Sequence, residues 1–360
     1  MDRSWKNNNL LRMTENTETE EFDTRFTPAY DGELNPWDYL VHNSDGTYSL
    51  DLSSVKKIDR DENIFLGEFL RKNFIKGGRL TVKFKRWDGD FVLSDWKHFI
   101  PIESLEGCPE IVKGNFVANN CGLTSLKGAP RIVTGSFVCW GNDLESLEGG
   151  PEEVGDYSVT SSDVTSFTGA PKTVKGKFHF AGGKGITSLE GVPRKMKVFE
   201  FVNGPASIES LKGLPEGVEE INISSNHFKS LKGCPSSVAI LNCSRNDITS
   251  LEGVPAHLKH LNASFNYITT LESALKSVDS YIWIDGNPLS EIGNTLESVG
   301  RYILVDEDAK LSRLRRLAKD RDIRVAFSSR SSVNSIHDTK MKELGYYDDP
   351  YIGRSPYIHK

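Results

Sequence analysis

The chain lacks the long apolar runs that would mark a membrane protein. No stretch of eighteen apolar residues occurs in its 360 residues, and residues 1–25 contain no apolar run of signal-peptide length. It also lacks a basic surplus: the net charge is −6, which argues against bulk affinity for nucleic acid or anionic membrane. Cysteines number five, an odd count without CxxC spacing, which fits a reducing compartment better than a disulfide framework. Phosphate-binding and nucleophile motifs are missing too, since no GxxxxGK[ST], GxSxG or GxGxxG follows a strand pattern and opens a helix. These absences leave an intracellular or particle-borne protein with no expected cofactor or metal. At 37% apolar residues it has enough core material for one large domain or a few small ones.

What the chain has instead is repetition. The phrase Ser-Leu-x-Gly-x-Pro recurs with prolines at Pro109, Pro130, Pro151, Pro171, Pro193, Pro215, Pro235 and Pro255, at spacings of 21, 21, 20, 22, 22, 20 and 20. A period of 20–22 residues is the signature of a solenoid. Within residues 230–255, Leu241 and Cys243 are two apart and face one side of a short strand, while Ile248 and Leu251 return the chain beneath it. Asn246 falls where a side-chain amide can bond backbone groups bared by the turn.

The spacing predicts ten strands with inward pairs: Phe116/Ala118, Phe137/Cys139, Tyr157/Val159, Phe178/Phe180, Phe199/Phe201, Ile221/Ile223, Leu241/Cys243, Leu261/Ala263, Ile282/Ile284 and Ile303/Val305. The asparagine position recurs at Asn142, Asn226, Asn246, Asn266 and Asn287. It is replaced by Cys121, Ser162 and Asp308, and falls on glycine near Gly183 and Gly204, where an irregular turn is expected.

This pattern, V-x-x-L-x-C-x-x-N-x-I-x-x-L-x-x-x-P, resembles the leucine-rich repeat, and its proline-ended return looks like the short bacterial subclass. The SLxGxP wording is also similar to arrays in bacterial and large-phage proteins. The resemblance covers residues 102–308 and implies an α/β, β-rich solenoid of about ten units. Secreted bacterial ubiquitin ligases carry similar repeats but act through a helical C-terminal domain with a catalytic cysteine. No cysteine follows Cys243 here, so that activity is not implied.

A solenoid leaves an open apolar layer at each end, so caps are expected. Residues 29–101 supply a helix pattern at 64–74 and strand patterns at 79–84 and 90–96. Residues 309–327 supply a helix with Leu311, Leu314 and Leu317, then a strand, IRVAF. Outside the caps lie two arms. Residues 1–28 are polar, with the run TENTETEEFD, and residues 328–360 end in GYYDDPYIGRSPYIHK. In the second arm, Tyr346, Tyr347, Tyr351, Ile352, Tyr357 and Ile358 read as docking peptides, because tyrosines beside fixed prolines bury much area for little entropy.

Strand residues that point away from the core should line the concave face of a leucine-rich repeat. Among them Trp140, His179, Asn222, Asn242, Asn262, Tyr281 and Trp283 are the candidate partner-binding residues, with the aromatics as exposed anchors around an Asn/Ser ladder. His179 is expected to stand alone, with no nucleophile beside it. The HxxH of His257 and His260 lacks the helical geometry or neighbouring cysteine that zinc would need. A non-enzymatic scaffold for protein contact is expected, as a structural component of a large-phage particle or similar assembly, with arms docked on neighbouring subunits. A free adaptor or inhibitor gripping one protein on the concave face is the alternative. Nucleic-acid binding through the basic stretch Lys310, Arg313, Arg315, Arg316, Lys319, Arg321 and Arg324 comes third.

Overall fold

The computed structural model describes residues 34–55, 60–94, 99, 101–161, 163–204, 208–306 and 323–328. These residues form a β-solenoid of about ten turns, mostly strand with little helix. The N-terminal arm, residues 329–360 of the C-terminal arm with Tyr346, Tyr347, Tyr351, Ile352, Tyr357 and Ile358, and the segment predicted as a helix at 309–322 lie outside the described residues.

One sheet carries the array. Its strands include Phe116–Val117, Ile132–Cys139, Glu153–Ser161, Lys177–Gly182, Val198–Val202, Glu220–Asn222, Ile240–Asn242, His260–Asn262, Tyr281–Trp283, Tyr302–Asp306 and Val325–Ser328. All of these pair in parallel with their neighbours, one coil to the next. Parallel pairing follows from the period, since each coil returns the chain to the same side before the next strand begins. All ten predicted inward pairs are buried, so the strand phase holds throughout, including the units that carry an extra residue before the strand. The main apolar core runs from Leu34 to Ile323.

Each letter of the return phrase has a physical task. The serine hydroxyl accepts the N–H two residues on, as Ser230 does from Lys232 and Ser250 from Glu252. The leucine, Leu231 or Leu251, fills the core. The glycine is left-handed (φ 100° at Gly253) and lies against the previous coil. An added Cβ there would stand 2.6 Å from the Leu231 carbonyl oxygen, so only glycine lets the coils stack this closely.

The asparagines hold successive coils together. The Asn246 amide donates to the carbonyl of Ile223 in the coil before (2.8 Å) and to Cys243 in its own (3.1 Å), while its oxygen accepts the Phe228 N–H (2.9 Å). Asn142, Asn226, Asn266 and Asn287 repeat this pattern. The residue before the ladder position is left-handed in eight coils: Asn120, Gly141, Gly182, Asn203, Ser225, Arg245, Phe265 and Gly286.

At Gly183 and Gly204 the ladder stops for a steric reason. The second inward residue there is phenylalanine, where other coils place alanine, cysteine, valine or isoleucine. A Cβ on Gly183 would run first into the Ile186 side chain and then lie 3.1 Å from the Phe180 ring, and one on Gly204 would lie 2.6 Å from the Phe201 ring. Ile186 with Phe180 in one coil, and Phe201 in the next, occupy the space an asparagine side chain would need.

The sheet continues into the N-terminal region through Tyr48–Leu50, Phe84–Asp88 and Phe91–Val92. The helix spans Arg60–Phe74, starting a turn before the predicted one because its first turn is charged and carries no apolar spacing. It buries Leu66, Phe69, Leu70 and Phe74 along one stripe. The strand pattern at 79–84 divides. Arg79–Leu80 folds back on Ile75–Lys76 through left-handed Gly77 and Gly78, and the main sheet resumes only at Phe84. Phe84 and Trp87, three apart, are both buried, so the register slips and simple alternation fails there. The predicted terminal strand appears as Val325–Ser328.

Candidate functional site

The outward side chains of the sheet fall into rows, one residue per coil. The central row reads Val138, Ser158, His179, Glu200, Asn222, Asn242, Asn262, Trp283 and Leu304 in consecutive register. Five of the seven residues singled out from the sequence stand in this row, with Trp140 in the row on one side and Tyr281 in the row on the other.

In the C-terminal coils each outer asparagine turns its oxygen onto the backbone N–H two residues on. Asn222 accepts from Ser224 (3.1 Å), Asn242 from Ser244 (3.2 Å) and Asn262 from Ser264 (3.1 Å). This leaves their amide groups for other partners. That of Asn222 donates to Glu200 Oε1 (2.8 Å), while that of Asn262 is buried with no hydrogen-bond partner.

Tyr281 and Trp283 depart from the expectation of exposed anchors. They are only 5% and 2% exposed, stacked on each other at 4.8 Å and gathered with Tyr302, Leu304 and Ala326 into a small apolar cluster outside the main core. His260 stacks on Tyr281 at 4.8 Å, and burial lowers its pKa. His257 hydrogen-bonds Ser277 instead of joining His260. Among the described residues, no group of three or more His, Cys, Asp or Glu gathers as metal ligands would.

Exposed aromatics occur elsewhere in the array. Phe265 and Tyr267 project at a turn edge, and the Arg245 guanidinium lies 4.5 Å over the Phe265 ring. Sequence reasoning missed both, because a turn position between two strands gives no periodic signal.

No protein-family model matches the chain, and neither a curated protein nor a solved structure does. The geometry of the chain is therefore the sole guide to its site.

That geometry is most specific at the middle of the central row. His179 Nδ1 lies 3.0 Å from Glu200 Oε2, Lys177 Nζ lies 3.6 Å from the same oxygen, and Asn222 holds the other oxygen. Burial alone would raise the Glu200 pKa. The His179 hydrogen bond and charge, with Lys177 and Asn222, outweigh it and hold the carboxyl at about 2. Trp140 donates its indole N–H to Ser158 Oγ at 2.7 Å. His179 is thus not isolated: a carboxylate binds it on one side, and Ser158 is its register partner on the other. Register between residues 21 apart decides this neighbourhood, and no local motif encodes it.

The five cysteines take no part. All are free, and burial pushes their thiols up, that of Cys121 to about 12, away from the thiolate form that reacts or ligates. Among the described residues no helix is long and apolar enough to cross a membrane.

Proposed function

We propose that the protein is a leucine-rich-repeat scaffold for protein–protein contact, serving as an accessory component of a large-phage particle or similar assembly. The observation that carries this proposal is the outer face of the sheet. It aligns side chains of fixed spacing in rows that the core does not use, with Trp140 and His179 half-buried and open to a partner. Asn222, Asn242 and Asn262, expected as contact residues, are only 5–6% exposed and order the row from within. A rigid surface loses little entropy on binding, which favours specific recognition. The repeat identity is supported by the buried leucines, the asparagine staples and the 20–22-residue period. In this proposal the two arms dock across neighbouring subunits.

Purification from the native source with mass spectrometry of bound proteins is the direct test. Stoichiometric recovery with structural subunits of a particle is expected, and loss of that recovery on deleting residues 329–360. Recovery unchanged by the deletion would remove the docking role of that arm. Capture of one non-structural protein, lost on Trp140→Ala, would favour the adaptor.

A further inference from the structure

We propose that Ser158, His179 and Glu200 form a nucleophile, its general base and the base's orienting carboxylate, and that this point of the sheet hydrolyses short acyl esters. The inference goes beyond the scaffold and does not rest on it.

Three observations carry it. Ser158, His179 and Glu200 are consecutive register partners on adjacent parallel strands and share one face. The backbones of such partners stand about 4.8 Å apart, so the two side chains are neighbours. Ser158 Oγ is hydrogen-bonded to Trp140 and not to the imidazole, and a side-chain rotation is what joins hydroxyl to base.

The second observation fixes the proton. A carboxylate only accepts, so the 3.0 Å contact with Glu200 Oε2 places a hydrogen on His179 Nδ1 and leaves the Nε2 lone pair as the base. Asn222 and Lys177 in turn hold the carboxylate, so the imidazole is anchored through two layers of contact.

The third concerns the hydroxyl. Ser158 Oγ accepts the Trp140 indole N–H at 2.7 Å, so its own proton remains free to donate. An activated nucleophile requires this order: hydroxyl, then base, then a group that orients the base.

The chemistry balances without a cofactor. Ser158 Oγ bonds to the ester carbonyl carbon and its proton passes to His179 Nε2. Collapse of the tetrahedral species expels the alcohol oxygen, which takes that proton from Nε2. Water then attacks the acyl-serine, giving its proton to His179, which returns it to Ser158 Oγ as the carboxylic acid departs. The Trp140 N–H, directed at Oγ, holds the hydroxyl oxygen in place for the attack.

The test uses the full chain and a fluorophosphonate, with peptide mapping of the adduct, followed by turnover of p-nitrophenyl acetate. The expected result is one adduct, on Ser158, absent in Ser158→Ala. His179→Gln and Glu200→Gln should slow labelling by about 10²–10⁴-fold, with circular dichroism unchanged. His227→Gln, which removes the distant His227–Asp247 contact, should leave it unaltered. In the wild type the rate should climb with the deprotonated fraction of one imidazole, and Glu200→Gln should displace that pH profile. An unlabelled Ser158, a flat wild-type profile, or labelling at an equal rate in folded His179→Gln would overturn the proposal.

Discussion

The two halves of the array solve the same stacking problem with different chemistry. From Phe91 to Phe199 the first inward residue is aromatic in every coil. The rings of Phe91, Phe116, Phe137, Tyr157, Phe178 and Phe199 lie within 7° of parallel, with centroids 4.9–6.1 Å apart. From Ile221 onward that position is aliphatic, and the asparagines Asn226, Asn246, Asn266 and Asn287, the first three buried, run unbroken. Ring stacking is tolerant of small shifts along the coil axis, whereas an amide holding both a carbonyl and an N–H is not. The first half is therefore held chiefly by area and the second by directional bonds. The change falls at Gly183 and Gly204, where extra phenylalanines displace the amide.

That contrast can be broken by substitution. Phe178→Ala empties one place in the stack and should cost about 3–5 kcal/mol, measured by denaturant unfolding. A cost below the cost of Leu241→Ala would deny the aromatic half its dependence on ring area. Asn246→Ala leaves carbonyls and an N–H buried without partners and should cost about 3 kcal/mol. Hydrogen exchange should then rise at Ile223 and Phe228 before it rises in the aromatic half. Gly183→Asn tests whether the ladder can be carried across the junction. It should cost about 1–3 kcal/mol, because the new side chain meets Ile186 and then the Phe180 ring, and a gain in stability would show that these side chains can yield.

Acid probes the junction itself. Glu200 has a carboxyl held at about 2 against an ordinary 4.5, so its contribution is complete above 4.5 and disappears as pH falls towards 2. The stability difference between wild type and Glu200→Gln should close over that interval, and a difference constant with pH would contradict it. The smallest effect is expected at Phe265→Gly. Relief of the left-handed strain, about 1 kcal/mol, is set against loss of the Arg245 contact, about 0.5–1 kcal/mol. The melting temperature should hardly move, and a large drop would assign Phe265 a role in the core.

Much of this architecture could be read from the residues alone, because the period and the apolar alternation are local facts repeated many times. Phe116/Ala118 through Ile303/Val305 needed only a correct phase, and a single-residue error would have exchanged core for surface along every strand. The asparagine staples were likewise signalled by position. Relations across coils were less accessible. The Ser158–His179–Glu200 alignment depends on registers 21 residues apart. The burial of Tyr281 and Trp283 depends on how Tyr302, Leu304 and Ala326 gather around them. The stretch 79–84 misled for the opposite reason: its apolar residues alternate well, but the two glycines before it turn Arg79–Leu80 onto Ile75–Lys76 and away from the main sheet.

The staples also have a direction. Asn142 reaches back to Ala118, Asn226 to Phe201, Asn246 to Ile223, Asn266 to Cys243 and Asn287 to Ala263, always into the coil that precedes it in the chain. Each staple therefore closes backwards, onto a coil already made, whereas the strand N–H groups reach forwards, as Ile223 does to Asn242 and Cys243 to Asn262. A coil is tied to its predecessor by a side chain and to its successor by its backbone.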